Sequence, residues 1–173
     1  MTRAAEGRAR LILLNGLPGV GKSAVAAAWS ARHPGTLDLD IDRVRSLISG
    51  DPRDTAGPAR ALGLAMAAVH LRGGHDVVVP QLVARPDQVA RFADAAVRGD
   101  ARLVHVLVEA PDDVVADRVA ADAAPHRRGL DATAVAVYAA GLAEVAREPG
   151  VHRLTNDEVA AAVDRLEELV RRR

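Results

Sequence analysis

The stretch "LLNGLPGVGKSAVAAAW", residues 13–29, contains the only lysine of the chain among its 23 basic residues. Within it Gly16 to Ser23, "GLPGVGKS", fits G-x-x-x-x-G-K-[ST] and stands between an apolar run and an alanine-rich helical stretch, the setting in which that pattern has a mechanism. At the chain's own residue frequencies the pattern arises by chance in about 3 of ten thousand such chains, which favours a phosphate loop over a glycine-rich turn with a surface lysine. The reading assigns Gly16, Leu17, Pro18, Gly19, Val20, Gly21, Lys22, Ser23 and Ala24 to nucleotide binding. Glycines let backbone N–H groups wrap a phosphate, and the start of the next helix adds its partial positive charge. Lys22 reaches the β- and γ-phosphates as a slender point charge, where a guanidinium would be wide and planar. Ser23 offers a hydroxyl to Mg²⁺.

Outward from this loop, short apolar runs alternate with longer helical stretches. "RLILLN" (10–15), "TLDL" (36–39), "HDVVV" (75–79), "RLVHVLV" (102–108) and "GVHRL" (150–154) read as strands covered on both faces. Between them "KSAVAAAWSAR", "DRVRSLIS", "GPARALGLAMAAVHLR", "PDQVARFADAAVR", "PDDVVADRVAAD", "DATAVAVYAAGLAEVARE" and "NDEVAAAVDRLEELVRR" read as helices. The alternation predicts an α/β fold of the three-layer P-loop type, a five-stranded parallel sheet with helices on both faces, and one domain over residues 1–173. Two stretches dense in Gly, Pro and charge, 49–58 and 121–132, read as looser segments able to act as lids.

Composition limits the partners. Formal net charge is zero, which argues against a nucleic-acid binder that must neutralise many phosphates. Without cysteine there is neither a disulfide nor a thiolate metal site. No apolar run reaches the roughly 18 residues of a membrane span, and the first ten residues lack a signal-peptide core, so the expected location is the cytoplasm. Nothing in the sequence signals an oligomeric state. The buried-looking His70 and His105 read as satisfied core histidines rather than ligands.

A phosphate loop by itself leaves open a small-molecule kinase, a GTPase-type switch and a motor ATPase. "TLDLDIDRVRSLISG" (36–50) places Asp38, Asp40 and Asp42 at the end of the second strand, where ligands of parallel α/β sheets bind. One carboxylate there can hold Mg²⁺, directly or through water, and another can accept a proton from an attacking hydroxyl. The competing reading is a solvated strand end with Asp42 capping the next helix. The third strand ends in Pro80 and Gln81 without the acid a motor ATPase would carry, and no Asn-Lys-x-Asp element reads guanine. Both absences favour the kinase.

These residues resemble P-loop small-molecule kinases of the shikimate-kinase and nucleoside-monophosphate-kinase type. "LDID" (39–42) is similar to the L-D-x-D segment of shikimate kinases, and "IDRVR" to the aspartate context of chloramphenicol phosphotransferases. The loop, "VVVPQLVARPDQ" (77–88) and "LTND" (154–157) together resemble the tunicamycin-resistance ATP-binding group over about residues 10–165. The resemblance implies that Asp42 is the base, that Ser23 and Asp40 serve the metal, and that Arg118 stacks on adenine. It also implies that the backbone around Asn156 cradles the base, and that Arg127 and Arg128 serve in a lid. Arg45, Gln81 and Arg85, with Arg43, are expected to border the substrate. The combined expectation is an ATP- and Mg²⁺-dependent O-phosphotransferase acting on a hydroxyl of a small molecule, an antibiotic or a nucleoside- or sugar-like compound. A metabolic small-alcohol or sugar kinase, or a nucleotide-dependent module that only sequesters its ligand, are the alternatives.

Overall fold

The computed structural model describes residues 8–121 and 132–171. Its central sheet is parallel throughout, ordered β2-β3-β1-β4-β5. The strands are β1 (Arg10–Asn15), β2 (Leu37–Asp38), β3 (Val77–Pro80), β4 (Arg102–Glu109) and β5 (Val151–Thr155). The described helices are α1 (Lys22–Arg32), α2 (Ile41–Ser46), α3 (Pro52–Arg72), α4 (Pro86–Arg98), α5 (Asp112–Ala121), α6 (Ala132–Val145) and α7 (Val159–Arg171). This is the parallel α/β sheet with two helical layers that the alternation predicts.

Period-two geometry sends successive residues of a strand to opposite faces, and β1 shows the result. Leu11 and Leu13 join Val77, Val79 and Phe92 in a core under α2, α3 and α4, while Ile12 and Leu14 join Val78, Val104, Trp29 and Leu166 under α1 and α7. With both faces covered, the strand must be apolar at every position, hence the run "LILL". β1 is the central strand and its chain leaves for the β2 edge before returning at β3, so its carboxyl end opens on the crevice where such sheets bind ligands.

Two local expectations are corrected. The segment 49–58, expected to be loose, is helical from Pro52 onward. Asp51 nucleates that helix, since its carbonyl accepts from the backbone N–H groups of Asp54 and Thr55 and from the Thr55 hydroxyl, each at 3.1 Å. Pro58 is tolerated inside α3 because Gly57 before it has no Cβ to meet the pyrrolidine ring. The cap of α2 is Asp40, whose carboxylate accepts from the Asp42 N–H at 2.8 Å, and not Asp42, which lies in the first turn. Pairing in β2 stops at Asp38, so the strand ends one residue earlier than the expected run through 39. Of the second expected lid, residues 122–131 lie outside the described residues, with Arg127 and Arg128 among them.

Candidate active site

β1 ends at Asn15 and the chain turns at once through Gly16, whose φ of +144° disfavours any L side chain. A Cβ there would also overlap the Val108 carbonyl oxygen of β4. Gly21, at φ +86°, begins α1, and no side chain caps that helix. The N–H groups of its first turn, from Lys22 through Ala24, therefore present the positive end of the helix to the loop. The Lys22 ammonium folds back over it, with Nζ donating to the carbonyls of Gly16 and Leu17 at 2.8 Å each.

Two sets of side chains brace the loop. Asn15 is fully buried: its Oδ1 accepts from the N–H of Gly16 and of Val83, and its Nδ2 donates to the Val83 carbonyl, all at 2.8 Å. The same Nδ2 lies 3.2 Å from His105 Nε2, so that nitrogen acts as the acceptor and the ring is neutral. Burial, with a smaller contribution from His152, pushes the His105 ring down to about 4, which agrees. On the opposite flank Asn156 Nδ2 donates to the Val20 carbonyl at 2.8 Å and Arg118 donates to the same carbonyl at 3.2 Å. Arg118 also donates to the Asn156 carbonyl at 3.2 Å, and a Cβ on Gly21 would overlap Asn156 Nδ2. Asn156 Oδ1 is buried without a hydrogen-bond partner. Arg118 and Asn156 thus meet on the loop from two distant segments.

In front of the loop lies a cleft of about 720 Å³ that gathers Lys22, Ser23, Asp40, Asp42, Arg45, Gln81 and Arg85. Arg45 lies 3.1 Å from the Asp42 carboxylate, one turn along α2. Arg85 reaches the rim but forms a two-pronged pair with Asp87 at 2.9 Å. Gln81 is tied by its backbone N–H to the Leu14 carbonyl, and its Oε1 is buried with no partner. Asp38 is not in this lining, and burial pushes its carboxyl up, Arg43 pulling against it. Arg43 points out to solvent.

The cleft also contains residues the sequence reading missed: Arg60 on α3, Gln88 on α4, and Tyr138, Gly141 and Glu144 on α6. A Cβ on Gly141 would overlap the Ala84 carbonyl, so this glycine lets α6 lie directly on the 81–85 loop. Its signal was an isolated glycine in a helical pattern. Asn15 had one too, a lone polar residue closing an apolar strand. Arg60 and Gln88 had none.

Ser23 and Asp40 offer oxygen donors on the same cleft as the phosphate loop. That set suits Mg²⁺, which binds through one or two side-chain oxygens and takes the rest from water and nucleotide phosphates. Among the described residues no cluster of three or more His, Cys, Asp or Glu suits a metal held by protein alone.

Residues 11–145 match the family described as AAA domain. Among solved structures the chain is similar to the Deinococcus radiodurans tunicamycin resistance protein, at 20% identity and TM-score 0.67 over 95% of this chain and 96% of that one. It is also similar to the Mycobacterium tuberculosis APS kinase in complex with AMPPNP and APS, at 19% identity and TM-score 0.65 over 95% and 99%. A gluconokinase from Sinorhizobium meliloti follows at 21% identity and TM-score 0.59 over 95% and 94%. No curated protein matches the sequence significantly. Among the described residues no helix is long and apolar enough to cross a membrane.

Proposed function

Since the chain belongs to the AAA domain family, we propose that it is an ATP-dependent O-phosphotransferase, transferring the γ-phosphate to a hydroxyl of a small molecule. The observation that carries this reading is one cleft holding the phosphate loop's Lys22 and Ser23 together with Asp40 and Asp42. A nucleotide grip needs only the first pair. A carboxylate in the same cleft is what a hydroxyl acceptor needs.

In this reading the loop backbone and the start of α1 hold the triphosphate, and Lys22 moves from the Gly16 and Leu17 carbonyls onto the transferring group. Asp42, steadied by Arg45, takes the proton of the acceptor hydroxyl. The new O–P bond forms as the bond to the β-phosphate oxygen breaks, and ADP leaves. Mg²⁺, held by Ser23 and by Asp40 directly or through water, would neutralise charge on the β- and γ-phosphates. Arg118 and the Asn156 turn hold the base, Arg127 and Arg128 serve the closing lid, and Gln81, Arg45 and Arg85 border the acceptor. A cleft of about 720 Å³ suits a molecule of drug, nucleoside or sugar size. A role against an antibiotic and a cytoplasmic setting belong to the same proposal.

Purified protein incubated with ATP, magnesium and a panel of hydroxyl compounds tests it by mass spectrometry. The expected result is a gain of one phosphoryl group, about 80 Da, on one acceptor class. Tight ligand binding with no phosphorylated product would instead establish a sequestering module.

A further inference from the structure

The wall of the cleft facing Asp42 carries positive charge that no carboxylate among the described residues meets in a direct ion pair. Arg60, half-buried on α3, donates through one terminal nitrogen to Gln88 Oε1 at 3.0 Å, and its Nε is buried with no partner. Arg91, on α4, donates to the same Gln88 oxygen at 3.3 Å. Two guanidinium groups therefore converge on one neutral amide, whose nitrogen is turned to Asp87. Asp42 is engaged by Arg45 and Asp87 by Arg85, Glu144 across the cleft pairs with neither arginine, and among the described residues neither Arg60 nor Arg91 has an ion-pair partner.

Burial and the charge of Arg91 pull the Arg60 guanidinium below its ordinary value, and Asp42 offsets this only from a distance. A half-buried cation left this way is costly unless something answers it. The same cleft holds the converse orphan, the buried acceptor Gln81 Oε1. Both atoms are covered by protein, so a ligand meets them as these side chains turn into the cleft, and since buried polar atoms are nearly always hydrogen-bonded each marks a bond still to be made.

We propose that the acceptor is an anionic hydroxyl compound, whose oxyanion is taken by Arg60 with Gln88 and Arg91 behind it, and one of whose hydroxyls donates to Gln81. Carboxylate, sulfate and phosphate share the planar or tripodal oxygen geometry that a guanidinium fork meets with two charge-assisted hydrogen bonds. A neutral acceptor would leave the cation as it stands. This rests on the phosphotransferase reading and names the acceptor class within it.

Inorganic sulfate is the probe, added after the phosphate loop has been filled with a non-hydrolysable ATP analogue and magnesium, so that the two anion sites stay separate. In ¹⁵N-labelled protein the Arg60 Nε–H resonance is the one missing from Arg60→Gln. Arg60→Lys, which keeps charge and bulk, identifies the same resonance should Arg60→Gln fail to fold. The expected result is a saturable shift of that resonance with sulfate, weakened about tenfold in Arg91→Gln. Hydroxy acids should be phosphorylated about tenfold or more faster than their amides, a preference that Arg60→Gln erases while KM for ATP stays within about twofold. A resonance unmoved by sulfate, or equal loss on acids and amides, would mean that Arg60 only clamps α3 to α4 and would overturn the inference alone. Failure of the ATP analogue to bind wild-type protein would overturn the phosphotransferase reading, and this one with it.

Discussion

In the proposed function, the ligand surface at the phosphate end of the cleft is largely backbone from one continuous stretch, Gly16 to Ala24, braced by Asn15, Arg118 and Asn156. At the acceptor end it is side chains from α2, α3, the 81–85 loop, α4 and α6, with buried atoms of Arg60 and Gln81 left unanswered. Backbone geometry is set by a few glycines and a helix start, and one loop serves for any triphosphate. Side-chain geometry depends on how five separate elements pack, so it can differ between acceptors while the fold stays the same. The difference predicts that variants sort into two groups, one affecting nucleotide and the other acceptor.

The largest effect is expected at the shared boundary. Lys22→Ala removes the one ammonium over the loop and should lower turnover by at least about 10³-fold, with weaker binding of an ATP analogue by calorimetry. Asp42→Asn comes next. It should lower kcat by about 10²- to 10⁴-fold with the ATP-analogue affinity nearly unchanged, because Asp42 belongs to the acceptor half. If both affinities fell together, the two halves would not be separable.

The same contrast explains what could be read from the chain before its structure. β1, β4 and α4 match their expected bounds within a residue, since a strand covered on both faces must be continuously apolar and "PDQVARFADAAVR" opens with Pro and an acid. The phosphate loop was legible because its chemistry is local. The 52–58 turn of α3 was not, since Gly57 and Pro58 look like breakers until Asp51 is seen holding the first turn. Arg60, Gln88 and Glu144 could not be joined from sequence, since only the packing of α3, α4 and α6 makes them neighbours.

Asn15 and His105 stitch the two halves together beneath the cleft, and their state should appear in stability. His105 is held neutral with its ring at about 4, whereas in the unfolded chain it titrates near the ordinary histidine value of 6.5. The unfolded state therefore takes up the proton first as pH falls. The stabilisation is complete above pH 6.5 and is lost progressively toward pH 4. Between pH 6.5 and 5 this amounts to about 2 kcal/mol, read as a fall in urea midpoint that His105→Gln should flatten. An identical slope in wild type and variant would remove His105 from the stitch.

The smallest effect, and the one that divides the two halves most finely, belongs to Gly141. Alanine in mid-helix is normally favoured over glycine by about 1 kcal/mol, so Gly141→Ala should strengthen α6 taken alone. Its new Cβ would meet the Ala84 carbonyl, however, and α6 would have to lift from the 81–85 loop. The clash is with backbone rather than with the end of a flexible side chain, so it outweighs the gain and the melting temperature should fall. What moves is the position of Tyr138 and Glu144 over the cleft, and KM for the acceptor should rise by roughly three- to tenfold, while KM for ATP stays fixed. The 81–85 loop connects α6 to Asn15, which braces the phosphate loop. If ATP affinity fell in step with the acceptor's, strain would be passing through Asn15, and Asn15→Ala in the same background should then release it.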